Sequence, residues 1–244
     1  MKNRYIKIGL VFLNIIGLYS CSTYYYVPTS QNVLKFKEKG DANLSIGIDE
    51  CHFTNYNIGY SITNNIALIS DYKADNNSDH FLWDNELIIY KNYYNCFFPA
   101  INFGYGFGQI GRNQDYYKLN IYRQFIQPSL GYSDDYFDFA LSARFTHVNY
   151  DLHNIKHHSI FVSNEEIYDF KDVGKKDFYF IEPSFTIGLG YKFIKLRFQH
   201  IAAKKLNPSD LLYIEKNMSL TLNLTLNINK IFTKNKKKHP SLKY

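Results

Sequence analysis

Ionisable side chains recur at alternate positions within otherwise apolar segments of this 244-residue chain, and Glu86, Asp138, Arg144, Glu182, Lys195 and Arg197 all fall on the polar side of that alternation. Two chemistries are open to them. Opposite charges on neighbouring strands can pair and offset the cost of burying each alone, or a lined-up set can form a polar conduit or a small-solute site. The pairing expected is Arg144 with Glu182, with Lys195 or Arg197 close by. Glycines at 104, 106, 108, 188 and 190 share the polar face and leave space that larger residues would fill, which keeps the conduit open as an alternative.

Other reactive residue types are sparse. His153, His157 and His158 cluster on one polar segment, and the spacing of four could set two of them on one side of a helical turn. Nothing else there fixes a metal geometry, so a solvated loop is expected and no metal site. Membrane barrels that modify lipids need a nucleophile and base together near the membrane surface. Thr146 with His147, and Gln199 with His200, are adjacent pairs. Adjacent strand residues point to opposite faces, so neither makes a dyad. Glycine-rich phosphate loops, paired cysteine clusters and nucleic-acid motifs are absent from the sequence. The chain is therefore read as a non-enzyme with no catalytic residue and no cofactor.

The elements that must position these charges are strands. From Met218 to Asn229, Leu220, Leu222, Leu224, Leu226 and Ile228 alternate with Thr221, Asn223, Thr225 and Asn227. A period of two gives one wet and one apolar face. The pattern recurs from Asp41 onward, as in Ala42, Leu44, Ile46 and Ile48, in Tyr56, Ile58, Tyr60 and Ile62, and in Ile101, Phe103, Tyr105 and Phe107. It predicts an all-β fold, a single antiparallel up-and-down transmembrane β-barrel of about ten strands, within a range of 8 to 12. Ile66 to Tyr72 alternates poorly. In the stretch Tyr116 to Tyr132 the apolar phase changes from odd to even residues, which predicts a β-bulge between Arg123 and Phe125. Pro99, Pro128 and Pro183 cannot donate to a ladder and should mark local irregularities. Connections alternate between short and long, with long ones over 151–176 and 203–217. Short turns belong to the periplasmic side and long loops to the outside. An even strand count then places both chain ends on the periplasmic side.

Residues 1–20 carry Lys2, Arg4 and Lys7 ahead of an apolar run from Ile8 to Leu18, the pattern of a signal peptide rather than a membrane span. The run ends in Leu18-Tyr19-Ser20-Cys21, which resembles the lipobox of bacterial lipoproteins, although Tyr19 replaces the usual small residue. The resemblance implies lipidation at Cys21, with membrane lipid as a partner. No acidic run follows Cys21, so by the same resemblance the anchor stays on the periplasmic side. Residues 21–40 read as anchor and irregular lead-in, 41–229 as the barrel and 230–244 as a basic tail. Cys51 falls on an outer loop and Cys96 near a periplasmic turn, too far apart for a disulfide.

Removal of the leader leaves 25 basic against 22 acidic residues, a formal charge of +3, and nothing in that balance calls for nucleic acid. Aromatic residues make up 18%, including 23 tyrosines, which suits rings at a membrane interface. The Val27-Pro28 and Lys37-Glu38-Lys39-Gly40 elements, Ile66-Ala67-Leu68, Tyr105-Gly106-Phe107-Gly108, Gln127-Pro128-Ser129 and Ser142-Ala143-Arg144 resemble a family of small outer-membrane β-barrel lipoproteins of the Bacteroidetes type. That resemblance implies the fold and an outer-membrane location and adds no substrate. Three roles remain: a structural or interaction barrel with an extracellular or periplasmic protein partner, a narrow pore or solute binder, and a soluble lipocalin-like barrel whose apolar strand faces turn inward.

Overall fold

Period-two segments can bury their polar groups together only by closing on themselves, and this chain does so. The structure is a computed structural model that describes residues 26–33, 36–50, 53–75, 80–93, 96–111, 118–151, 160–162, 166–168, 177–207 and 216–227. Its strands are β1 (Asp41–Asp49), β2 (Phe53–Ser61), β3 (Ile66–Asp75), β4 (Phe81–Tyr90), β5 (Phe97–Gly111), β6 (Lys118–Ser133), β7 (Phe137–Asp151), β8 (Ile160–Val162), β9 (Glu166–Tyr168), β10 (Phe178–Tyr191), β11 (Ile194–Ala202), β12 (Lys204–Lys205) and β13 (Lys216–Asn227). Each long strand pairs antiparallel with its neighbours in sequence, β7 with β10, and β13 closes back onto β1 from Asp41↔Asn227 to Asp49↔Ser219. The result is an all-β closed barrel of ten antiparallel strands. The short β12 prolongs the line of β11 against β10, and β8 and β9 form a hairpin within the connection from β7 to β10.

Every barrel strand turns a row of large hydrophobic residues outward. Leu44, Ile46 and Ile48 on β1 are 45%, 49% and 58% exposed, while Asn43 between the ladders is 1% exposed. This apolar exterior around a polar interior is the arrangement a hydrocarbon surround stabilises. It overturns the soluble alternative, in which these faces would have turned inward. A row of rings, Tyr56, Tyr72, Trp83 and Phe107, crosses the outer face of β2 to β5 in register, with Tyr72 and Trp83 edge to face.

The predicted bulge is absent. β5 and β6 keep one register from Phe97↔Tyr132 to Gly111↔Lys118, and Ile121, Arg123, Phe125 and Gln127 all face inward. The phase change arose because this strand puts apolar residues, Ile121 and Phe125, into the lumen, where the aromatic side chains Tyr26, Phe178 and Phe180 are also buried. β3 alternates poorly for the same reason: Ala67 and Ile69 face inward and pack with Phe36, Ile88 and Tyr90. The prolines interrupt ladders without shifting them. Pairing of β6 with β7 skips from Ile126 to Ser129, leaving out Pro128, and resumes in the same register. Pairing of β10 with β12 and then β11 skips Glu182 and Pro183 likewise. Pro99 lies just beyond the last β4–β5 pair, Tyr90↔Ala100.

The connections after β2, β4, β6 and β10 all span six residues or fewer, while the two long ones, over 152–177 and 203–215, both lie at the opposite end, so the barrel has a short-turn end and a long-loop end. Asp41 and Asn227 both lie at the short-turn end. The lead-in does not stay there. Gly40, with φ of 89°, reverses the chain into β1, a backbone conformation glycine adopts without steric cost. Before that reversal, residues 26–33 and Phe36 lie in the lumen. Cys96 lies as a thiol in the β4–β5 turn. Residues 1–25, Cys51, the histidines at 153, 157 and 158, and the tail 230–244 fall outside the described residues.

Candidate functional site

The lumen is the place where the sequence concentrates chemistry, and its centre is the threaded segment, here called the strap. An extended strap outside the barrel's ladders must find hydrogen bonds for its own backbone. The barrel wall supplies them. The Gln31 N–H donates to Gln199 Oε1 at 2.7 Å and the Gln199 side-chain amide returns a bond to the Gln31 carbonyl at 2.8 Å, a reciprocal pair that imitates a strand ladder. The Pro28 carbonyl accepts from Asn217 at 2.7 Å and Lys73 at 3.3 Å. The Asn32 carbonyl accepts from Gln127 at 3.0 Å and Asn102 at 3.1 Å.

Strap side chains also organise the wall charges. Arg123 pairs with Asp84, its Nε donating to Oδ1 at 2.7 Å and its Nη2 to Oδ2. Thr29 Oγ1 accepts from Arg123 and, at 2.7 Å, from Arg144. Arg144 is fully buried, donates to Gln127 at 2.9 Å and to the Ser30 carbonyl at 3.2 Å, and stacks over the Phe125 ring with 4.3 Å to its centroid. Glu86 lies 3.8 Å from Arg144 and accepts at 2.7 Å from both Asn32 and Asn102. Glu182 accepts from the Tyr26 hydroxyl and, at 3.2 Å, from Thr146. Tyr26 lies flat on Phe180 with 4.1 Å between ring centroids.

All six charges singled out from the sequence face the lumen, but their partners differ from the pairing expected. Arg144 and Glu182 are opposite in register on β7 and β10, yet Arg144 reaches across to Glu86 and the strap, while Glu182 takes the Tyr26 hydroxyl. Lys195 and Arg197 pair with Asp138 at 2.5 and 2.7 Å, nearer the short-turn end. The space expected beside the glycines is occupied. The Phe125 ring lies against Gly104, Asp84 against Gly106, and Asp138 and Arg197 against Gly188. A polar recess remains at the short-turn mouth, lined by Lys37, Asp41, Asp134, Lys195, Arg197 and Asn223.

Sequence reasoning missed Asp49, Lys73, Asp84 and Arg123. Lys73 and Asp49 form an ion pair at 2.6 Å near the long-loop end, with Lys73 over the Phe53 ring. Asp84 could have been found from its alternation with Glu86 on β4; the others stand at strand ends or in the stretch whose phase was misread. Thr146 faces the lumen, and His147 faces outward, stacked on Tyr179 and 2.9 Å from Asp177. Among the described residues no group of three or more His, Cys, Asp or Glu side chains could hold a metal ion.

Two rim carboxyls have shifted acidity. Asp134, in the β6–β7 turn, is held below the usual carboxylate range by the N–H groups of Tyr136 and Phe137, each donating at 2.7 Å. Asp177 at the opposite rim is lowered by hydrogen bonds from Asn149 and His147.

No family model matches the chain, and no curated protein matches it. Among solved structures, the crystal structure of Pseudomonas aeruginosa OccK5 (OpdH) aligns with a TM-score of 0.26 and 10% identity, covering 75% of this chain; the chain spans 62% of that one.

Proposed function

We propose that this protein is an embedded bacterial outer-membrane barrel with a structural or interaction role, closed to solutes by its own strap and without enzymatic activity. The observation that carries this reading is the filled lumen. Thr29, Gln31, Arg123, Gln127, Arg144 and Glu182 are all buried there and bonded to one another across the barrel. A lumen whose charges already hold each other offers a passing solute little to bind, and leaves the long loops as the surface on which a partner would be met. Lipidation at Cys21 and membership in the small barrel lipoproteins of the Bacteroidetes type belong to this reading, with membrane lipid as one partner and an extracellular or periplasmic protein as another. The outward apolar ladders support the membrane location.

Planar-bilayer recording tests it. The full-length protein and its Arg144→Ala variant are expected to be silent, whereas deletion of residues 22–36 opens steady conductance. A full-length protein that conducts, with a conductance that Arg144→Ala alters, would establish the narrow pore instead.

A further inference from the structure

We propose that the strap carries the processed N-terminus, Cys21, out through the long-loop mouth of the barrel, so that the acyl chains on Cys21 enter the leaflet on the long-loop side. This rests on the reading of the chain as an embedded, lipid-anchored barrel, and it reverses the expectation that the anchor shares a side with the C-terminal strand end.

The direction of the strap follows from its partners. Phe36 packs against Ala67 and Tyr90 beside the short turns. Asn32 meets Asn57 and Glu86 in mid-barrel. The Pro28 carbonyl meets Lys73 and Asn217, and Asn217 also bonds Asp49 at the far end of β1. Tyr26 lies on Phe180, near the start of β10 just after the long connection. The chain therefore descends from the long-loop side to the short-turn side before Gly40 reverses it.

Reach then decides where Cys21 goes. Phe180 precedes Tyr191, the last residue of β10, by eleven residues, which in a strand tilted by roughly 40° is about 28 Å along the barrel axis. The five steps from Tyr26 back to Cys21 span at most about 18 Å when fully extended. They cannot return to the short-turn mouth, and the lumen below Tyr26 is already filled by the strap itself. The same five steps suffice for the nearer rim, since ten strands spaced about 4.8 Å apart at that tilt give a wall radius on the order of 10 Å. Long loops face the outside in bacterial barrels, so the leaflet reached is the outer one. Lipid chains inserted there would tie the strap from above while Gly40 and β1 hold it from below.

Thiol accessibility in unbroken cells tests this on the full-length chain. In a Cys51→Ser, Cys96→Ser background, single cysteines are introduced by Thr23→Cys, by Asp177→Cys on the long-loop rim and by Asp135→Cys on the short-turn rim, and cells are treated with a membrane-impermeant maleimide. Thr23→Cys is expected to label as fully as Asp177→Cys, with Asp135→Cys unlabelled until the cells are lysed. Labelling of Thr23→Cys only after lysis, together with Asp135→Cys, overturns the inference. If instead Asp135→Cys labels in unbroken cells and Asp177→Cys does not, the barrel's orientation is what fails. The strap inference is then decided by which of the two Thr23→Cys follows.

Discussion

Arg123 and Arg144 are both buried guanidiniums touching Thr29, yet they are unequal in what their removal leaves behind. Arg123 holds Asp84 through two bonds, and without it that carboxylate keeps, among the described residues, the Thr29 hydroxyl at 3.3 Å. Breaking such a pair costs about 3–5 kcal/mol, because the remaining charge is buried alone. Arg144 shares Glu86 with Asn32 and Asn102, so its loss removes hydrogen bonds and leaves that carboxylate accepting two others, at a cost of about 1–3 kcal/mol. Urea unfolding in lipid vesicles, followed through the single tryptophan, Trp83, should therefore find Arg123→Ala less stable than Arg144→Ala; the opposite order would refute this division of roles. The sequence made one of these residues easier to find than the other. Arg144 alternates cleanly with Leu141, Ala143 and Phe145, whereas Arg123 stands in a strand whose inward face is partly apolar, so its phase was hidden. Pairing was harder still: nearest-strand reasoning joined Arg144 to Glu182, and the partner it actually reaches lies across a lumen bridged by residues distant in sequence.

Strands were legible to the extent that the polar face was polar. β10 alternates from Phe178 to Tyr191 and β13 follows its leucine ladder; β3 and β6 misled because Ala67, Ile69, Ile121 and Phe125 face the interior. Turns carry their own chemistry. In the β6–β7 turn, Asp134 accepts the N–H groups of Tyr136 and Phe137, and those bonds favour the ionised carboxylate. Its folded pKa is thus below the unfolded value near 3.9, so its stabilisation is complete at pH above that value and is lost as pH falls through the folded pKa. Thermal unfolding across pH should show Asp134→Asn less stable than the parent protein at neutral pH, with the gap closing in acid. A gap that stays constant to the lowest pH would mean that the turn does not depend on this charge.

At the scale of the whole molecule, the outside and the inside were read with unequal success. The exterior follows from a one-dimensional pattern, since every ladder of Leu, Ile and aromatic residues had to face the same way once the barrel closed. The strap does not. Thr29, Ser30, Gln31 and Asn32 have the composition of any polar loop, and only the closed wall of amides and charges gives them their partners. Both features bear on what holds the protein in place. Acyl chains on Cys21 would tether one point of the chain, at about 0.8 kcal/mol per buried methylene, whereas apolar side chains on all ten barrel strands are exposed together, Leu222 at 49% and Phe103 at 43% among them. A belt of that extent holds a barrel in hydrocarbon without a lipid anchor. A Cys21→Ala protein is expected to stay with the membrane through alkaline extraction, and both it and the parent protein should change gel mobility on boiling as the barrel opens. Release of the Cys21→Ala protein into the soluble fraction without a mobility change would mean that the lipid alone supplied the attachment and that the apolar belt faces something other than hydrocarbon.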